Sequence, residues 1–249
     1  MSDESSSLFR VLTYNVHKAI GGLDRKYRPD RVIEVIQHYN PDIALLQEVD
    51  DGVPRSQFHR QVDLFAQQMD YPHTAFQHNV KVKDGSYGNA ILSRYPILET
   101  WDLDLKIPIK KRRQALIAKI EIRPETHSPL YVCNTHLGLA GMERKIQVRK
   151  LIGHAAITHV EPEIPVIVAG DLNDVWSSLA KKAMIPNGFH NASKYTKTFP
   201  AYLPMRGLDA IYYRGHLQLQ ECFAGKESQA RQASDHLPLI ADFHLLKDQ

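Results

Sequence analysis

Residues 165–173 read PVIVAGDLN, a short apolar run that ends in glycine, aspartate, leucine and asparagine. A continuous apolar run of this length predicts a strand that is buried on both faces. Because side chains two residues apart after a strand can point the same way, Asp171 and Asn173 are expected to enter one cleft. The stretch therefore predicts a covered sheet with polar groups at one end of a strand.

The same arrangement recurs elsewhere in the chain, where an Asn, Asp, Glu or His lies at or just past the end of a strand-like run. The fragments are Thr13-Tyr14-Asn15, Leu46-Gln47-Glu48-Val49, Asn134-Thr135-His136, Leu208-Asp209 and Ser234-Asp235-His236. A sheet whose strand ends converge gathers such side chains at one edge. Oxygen ligands and imidazoles together can hold a hard divalent cation and polarise a phosphate.

Composition places the chain among ordinary globular proteins. It has 249 residues, of which 43% are hydrophobic and 24% charged, with a net charge of +3. The weak basic bias permits an anionic partner. Nothing in the sequence indicates a protein partner. Residues 1–7 are polar and acidic, which excludes a signal peptide and predicts a disordered leader. With no apolar stretch long enough for a membrane span, a cytoplasmic location is expected.

Strand-like runs outnumber helical ones, and many are joined by short turns, which favours mainly antiparallel pairing. Two βα units, near residues 8–48 and 130–170, add helices. The expectation is one α/β domain over residues 8–249, with two sheets face to face and helices on the outer faces. The longest amphipathic segment predicts a helix from Gly141 to about His159, with Ile146 inside and Arg144 outside.

Seven fragments in order resemble the endonuclease/exonuclease/phosphatase superfamily, which has the DNase I-like fold. They are TYNVH, LQEV, YGNAILS, NTHL, GDLN, the pair TFP and LD, and SDHLP. The resemblance extends from about Phe9 to Phe243, nearly the whole chain. It implies a four-layer α/β sandwich and metal-dependent hydrolysis of phosphoester bonds, with Mg²⁺ or Mn²⁺ as cofactor.

The resemblance also implies a metal site. Glu48 is the expected principal ligand, Asn15 lies beside the metal, and Asp235 touches the metal or orders its loop. Mg²⁺ prefers oxygen ligands and keeps several waters, so one or two carboxylates suffice. His17 stands where apurinic endonucleases carry an acidic ligand, which argues against that activity.

The expected catalytic pair is Asp209 with His236. A carboxylate that accepts the second N–H of an imidazole fixes its tautomer and favours its charged form. His236 then acts as general base on water or as a cationic clamp on phosphate, and both roles stay open. By resemblance, Asp171 orients or deprotonates the attacking water and Asn173 holds a phosphate oxygen. His136 is a candidate general acid or phosphate donor.

Substrate contacts are expected from Arg113, which ends the basic run Lys110-Lys111-Arg112-Arg113, and from Arg206. Tyr87 and Asn89, in the fragment YGNAILS, complete the predicted set. The favoured substrate is a nucleic acid or a small phosphodiester, because the expected activity is that of a nuclease-like phosphodiesterase. A lipid headgroup or inositol phosphate is the first alternative, and an inactive anion-binding module is the second.

Overall fold

The computed structural model describes residues 8–123, 128–176, 178–194 and 196–246, so the predicted leader lies outside the described residues. The strands are β1 (Leu8–Asn15), β2 (Ile43–Asp51), β3 (His73–Val82), β4 (Gly85–Ser93), β5 (Ile97–Asp104), β6 (Gln114–Arg123), β7 (Ser128–His136), β8 (Val166–Asp171), β9 (His190–Asn191), β10 (Asp209–Arg214), β11 (Leu217–Ala224) and β12 (Leu239–Leu245). The α-helices are α1 (Pro29–Tyr39), α2 (Gln61–Gln68), α3 (Gly141–Ile152), α4 (Ala155–Thr158) and α5 (Ser228–Ala233).

The strands form two six-stranded sheets. The first has the order β11-β12-β1-β2-β4-β3 and the second the order β5-β6-β7-β8-β10-β9. One pair in each sheet is parallel, β1 with β2 and β7 with β8, and the other pairs are antiparallel. The parallel pairs come from the two predicted βα units, since a parallel neighbour needs a crossover connection.

Three buried apolar clusters define four layers. One cluster joins the first sheet to α1, α2 and α5, a second fills the space between the sheets, and a third joins the second sheet to α3 and α4. In β2, Ile43 and Leu45 face the other sheet, whereas Ala44 and Leu46 face the helices. This two-sided burial explains the continuously apolar strand sequences. The predicted four-layer α/β sandwich with mainly antiparallel sheets is confirmed.

A polar bridge crosses between the sheets close to the ends of β2 and β7. Gln47 Nε2 donates to Asn134 Oδ1 at 2.7 Å, and Asn134 Nδ2 donates to the carbonyls of Leu46 and Ala90, each at 2.8 Å. All these atoms are buried, so the bonds hold a single alignment of the two sheets. The alignment brings the strand ends of both sheets to one edge.

The predicted helix over residues 141–159 is wrong in two respects. It is broken between α3 and α4 at Gly153-His154, and two of its side chains lie on the opposite side from the one predicted: Ile146 is exposed and Arg144 is buried. The rest of its apolar face, with Leu151 and Ile157 buried, is as expected. The Arg144 guanidinium donates to the carbonyl of Leu139, which draws the side chain under the preceding loop. No helix among the described residues has the length and hydropathy to cross a membrane.

Candidate active site

Strand register places the expected site residues at one edge of the sandwich. His136 ends β7 and faces Asp171 across the parallel pair, and Asp171 in turn faces Asp209 at the start of β10. Asn15 ends β1 in the first sheet, where the register of β2 shifts between Leu46 and Val49. Glu48 lies in that bulge with a left-handed backbone, φ +57°. Bulges of this kind re-aim a side chain beside active sites.

Asp171 lies at the centre of the cluster, buried between two imidazoles. Its Oδ2 accepts from Asn15 Nδ2 at 3.1 Å and lies 3.4 Å from His136 Nε2 and 3.7 Å from His236 Nε2. Its Oδ1 accepts from the backbone N–H of Asn173 at 3.0 Å. The side chains of β1, β7, β8 and the carboxy-terminal motif therefore meet on one carboxylate.

His236 is held by the predicted carboxylate. Its Nδ1 lies 2.9 Å from Asp209 Oδ2, which also accepts from the hydroxyl of Thr198. The ring of Phe199 packs against the imidazole with 5.0 Å between centroids. Nδ1 is thus committed to Asp209, and Nε2 lies on the side of Asp171, which is the arrangement that the predicted pairing needs.

Burial and charge set the protonation of these groups. Burial works to lower the pKa of His236, but the carboxylates of Asp209 and Asp171 raise it well above its usual value. Burial raises the pKa of Asp171, and His236 opposes that rise. Burial and the charge of Arg113 lower the pKa of His136 well below its usual value. At neutral pH, His236 is therefore the charged imidazole and His136 the neutral one.

Glu48 is ionised and paired with a lysine. Burial raises its pKa, but the surrounding positive charge, to which the Lys18 ammonium contributes, lowers it by more, to about 2. Lys18 Nζ contacts Glu48 Oε2, and Glu48 Oε1 lies 3.9 Å from His136 Nδ1, beyond hydrogen-bond distance. Lys18 reaches this place from a loop in which His17, Lys18 and Ala19 all have positive φ. Such strain in non-glycine residues concentrates at functional sites.

The donor set fits a hard divalent cation, although its members do not all converge. Glu48 offers Oε1, a carboxylate oxygen for which the described residues supply no hydrogen bond, and Asn15 lies beside the same cluster. Asp235 is at the entrance, one-third exposed, with Oδ1 3.9 Å from His17 Nδ1. Among the described residues, ligand atoms of Asp171, Asp209 and His236 also lie within 4.8 Å of one another. Oxygen donors dominate both groups, as Mg²⁺ and Mn²⁺ prefer.

The four predicted substrate residues lie in different surroundings. Arg113 is 5% exposed, and its Nε and Nη1 find no hydrogen-bond partner among the described residues. The ring of buried Tyr87 lies within 6 Å of the cationic groups of Lys18, Arg55 and Lys111. Asn89 Nδ2 donates to Gln77 and to the carbonyl of Gln114, so it ties β4 to β3 and β6. Arg206 is exposed at the edge of a pocket.

Lys18 and Thr198 are the site residues that sequence reasoning missed. Thr198 belongs to the quoted fragment TFP, and a polar residue in a motif beside the catalytic pair was a usable signal. Lys18 has no such signal, because its approach to Glu48 depends on an unusual loop conformation. Asn173 departs from expectation in part: one hydrogen of its amide goes to the carbonyl of Leu137 at 3.0 Å, which leaves one for a phosphate.

Comparison with known proteins agrees with this geometry. A family model described as "Endonuclease/Exonuclease/phosphatase family" matches residues 12–236. The chain is 29% identical to the uncharacterized protein YbhP of Escherichia coli K12, over 98% of this chain and 100% of that protein.

Two solved structures show the same fold. An endonuclease/exonuclease/phosphatase from Beutenbergia cavernae aligns with a TM-score of 0.78 and 22% identity, over 96% of this chain and 72% of that one. The mannosyl-6-phosphatase Bt3783 of Bacteroides thetaiotaomicron aligns with a TM-score of 0.75 and 15% identity, over 94% and 99% of the two chains.

Proposed function

Because the chain belongs to the endonuclease/exonuclease/phosphatase family, whose members hydrolyse phosphoester bonds, we propose that it is a metal-dependent phosphodiesterase of the nuclease type. The observation that carries the proposal is the position of Asp171, buried between a neutral and a charged imidazole. A carboxylate with a raised pKa beside an imidazolium is the pair that proton transfer to and from a phosphoester needs.

Arg113 supports an anionic substrate. A buried guanidinium with unpaired donors is costly unless a partner completes it. A phosphate is a suitable partner, because two of its oxygens can accept from two guanidinium nitrogens at once. The charge of Arg113 also lowers the pKa of His136, so the substrate meets a neutral imidazole there. The neutral imidazole of His136 then donates a hydrogen bond to a phosphate oxygen.

The two roles left open for His236 are resolved in the proposal by its charge. An imidazolium cannot accept a proton, so His236 serves as the cation that stabilises charge building on the phosphate. Asp171, whose pKa is raised toward the working range, orients the attacking water and accepts its proton. Asp209 keeps His236 charged and oriented.

Glu48, Asn15 and Asp235 are the residues that would hold Mg²⁺ or Mn²⁺. When bound, such an ion neutralises a non-bridging phosphate oxygen and stabilises the leaving oxygen. Lys18 and Arg113 supply further positive charge beside this place. A cytoplasmic location stays a prediction.

Hydrolysis of bis-p-nitrophenyl phosphate is expected in the presence of Mg²⁺ or Mn²⁺ and is expected to stop when EDTA removes the metal. The liberated p-nitrophenolate measures the rate directly. A wild-type protein that is folded but inert under both metals would instead support the inactive anion-binding module. Faster hydrolysis of a phosphomonoester or an inositol phosphate would favour the phosphatase alternative.

The activity is expected to fall at alkaline pH, as His236 loses its proton. Asp209 raises the pKa of His236, so Asp209→Asn, which can still accept the Nδ1–H, lowers that pKa. The alkaline limb of the kcat/KM profile therefore shifts to lower pH in this variant. A limb that stays in place, or that moves to higher pH, would contradict the role of His236 as a cation.

A further inference from the structure

A pocket of about 710 Å³ lies directly beside the catalytic cluster. Its volume falls within the roughly 300–1,000 Å³ that is usual for small-molecule sites. Asp209 and Leu172 belong to its lining. Asp209 is bonded to His236, and Leu172 follows Asp171 in the chain. A substrate whose phosphate reacts at Asp171 can therefore place a neighbouring group in this pocket.

The pocket carries excess positive charge. Its lining includes three exposed cationic side chains, Lys194, Lys197 and Arg206. None of the three forms an ion pair with another residue of the described ranges. Three cations that have no counter-ion in the described part of the chain and that surround one concave surface are suited to a phosphate group.

Neither carboxylate that the structure describes in the lining forms an ion pair with these cations. Asp174 is buried and accepts from Ser178 Oγ at 2.8 Å and from the backbone N–H of Leu179 at 2.6 Å. Asp209 is committed to His236. The cations of the pocket therefore remain available to a ligand.

An aromatic surface lies at the same pocket. Trp176 is 82% exposed, although tryptophan is usually well buried. Met205, also exposed, belongs to the same lining. An indole beside unpaired cations matches a nucleotide, since a base can stack on the ring while its phosphate meets the cations.

The segment that carries these cations is attached to the catalytic pair. Thr198, next to Lys197, donates to Asp209, and the ring of Phe199 packs against His236. The backbones of Phe199 and Arg206 are paired in a short bridge. A ligand in the pocket is thus held by the same loop that orients the catalytic imidazole.

We propose that this pocket binds the nucleotide next to the scissile phosphodiester, with Trp176 against the base and Lys194, Lys197 and Arg206 on a second phosphate. The inference rests on the proposed phosphodiesterase activity and assigns its substrate class as nucleic acid. The aromatic surface favours a nucleotide over an inositol phosphate, because inositol has no planar ring to stack on the indole.

Three p-nitrophenyl esters with a common leaving group test the pocket. They are bis-p-nitrophenyl phosphate, thymidine 5′-(p-nitrophenyl phosphate), and the same nucleoside ester with an added 3′-phosphate. Wild-type kcat/KM is expected to rise by about tenfold when the nucleoside is added, from base stacking. A second rise of about tenfold is expected with the 3′-phosphate.

Variants separate the two steps. Trp176→Ala is expected to remove most of the rise in kcat/KM that the nucleoside gives. The double variant Lys194→Ala with Lys197→Ala is expected to remove most of the rise in kcat/KM that the 3′-phosphate gives. Lys145→Ala, at an exposed position of α3 outside this pocket, is the matched control and keeps both rises. Wild-type kcat/KM values that are equal for all three esters would overturn the pocket while leaving the phosphodiesterase activity standing.

A binding measurement tests the pocket without turnover. The chain has two tryptophans, Trp101 and Trp176, so thymidine 3′,5′-bisphosphate is expected to quench the fluorescence of the wild type and of Trp101→Phe. Quenching is expected to be absent in Trp176→Phe. If no ester is hydrolysed but quenching follows this pattern, the proposed activity fails and the nucleotide site stands. Quenching that persists in Trp176→Phe would overturn the stacking assignment.

Discussion

His236→Asn is expected to lower kcat for bis-p-nitrophenyl phosphate by about 10³-fold. The asparagine amide can still donate to Asp209, as Nδ1 does in the wild type. The change removes the positive charge and the Nε2 atom, which faces Asp171 at 3.7 Å. The change is therefore expected to lower the rate of the chemical step more than the stability of the fold. Steady-state kinetics measure the first effect and thermal melting the second.

His38→Asn provides the matched control, because His38 is exposed on α1. It is expected to keep both the wild-type kcat and the wild-type melting temperature. A His236→Asn protein that retains more than about a tenth of the wild-type kcat would remove His236 from the mechanism.

Much of the fold was predictable because its strongest signals are local. Runs such as residues 43–46 (IALL) are apolar throughout, as expected of strands covered on both sides, and several such runs predict the sandwich. The convergence of Asn15, Asp171 and His236 was predictable for a related reason. Each follows or lies beside a strand-like run, and the parallel pairs bring such strand ends to one edge.

The parts that could not be predicted from the sequence depend on the conformation of loops next to the regular elements. Arg144 was expected outside, but it is buried and its guanidinium donates to the carbonyl of Leu139, whereas Ile146, expected inside, is exposed. Lys18 is a sharper case. Its position requires a left-handed backbone conformation at consecutive residues, which residues other than glycine rarely adopt. The residue types in this loop do not indicate that conformation.

Lys18 also changes what is expected of the metal site. The chain places its own cation on Glu48, the residue predicted to be the principal ligand. A divalent ion must therefore bind against a positive charge that is already close to the carboxylate. Two substitutions on either side of this ion pair are expected to act in opposite directions.

Glu48→Gln is expected to weaken Mn²⁺ binding by more than tenfold and to lower kcat/KM at fixed metal by about 10³-fold. The amide has the size of the carboxylate but no charge. The metal therefore loses its electrostatic attraction to this side chain, and Lys18 loses its ion-pair partner. Lys18→Met removes the competing ammonium and is expected to tighten Mn²⁺ binding by about tenfold. Calorimetric titration of Mn²⁺ into each folded variant measures both effects without turnover.

The two variants show whether Lys18 competes with the metal for Glu48 or supports the position of Glu48. If Lys18 only stabilised the shape of the site, Lys18→Met would loosen Glu48 and weaken Mn²⁺ binding, as Glu48→Gln does. Opposite shifts follow only when the ammonium and the metal share the same carboxylate, whose pKa of about 2 keeps it charged for either. Unchanged Mn²⁺ affinity in Glu48→Gln would show that the metal binds elsewhere, and the Asp171, Asp209 and His236 group would then be the place to look.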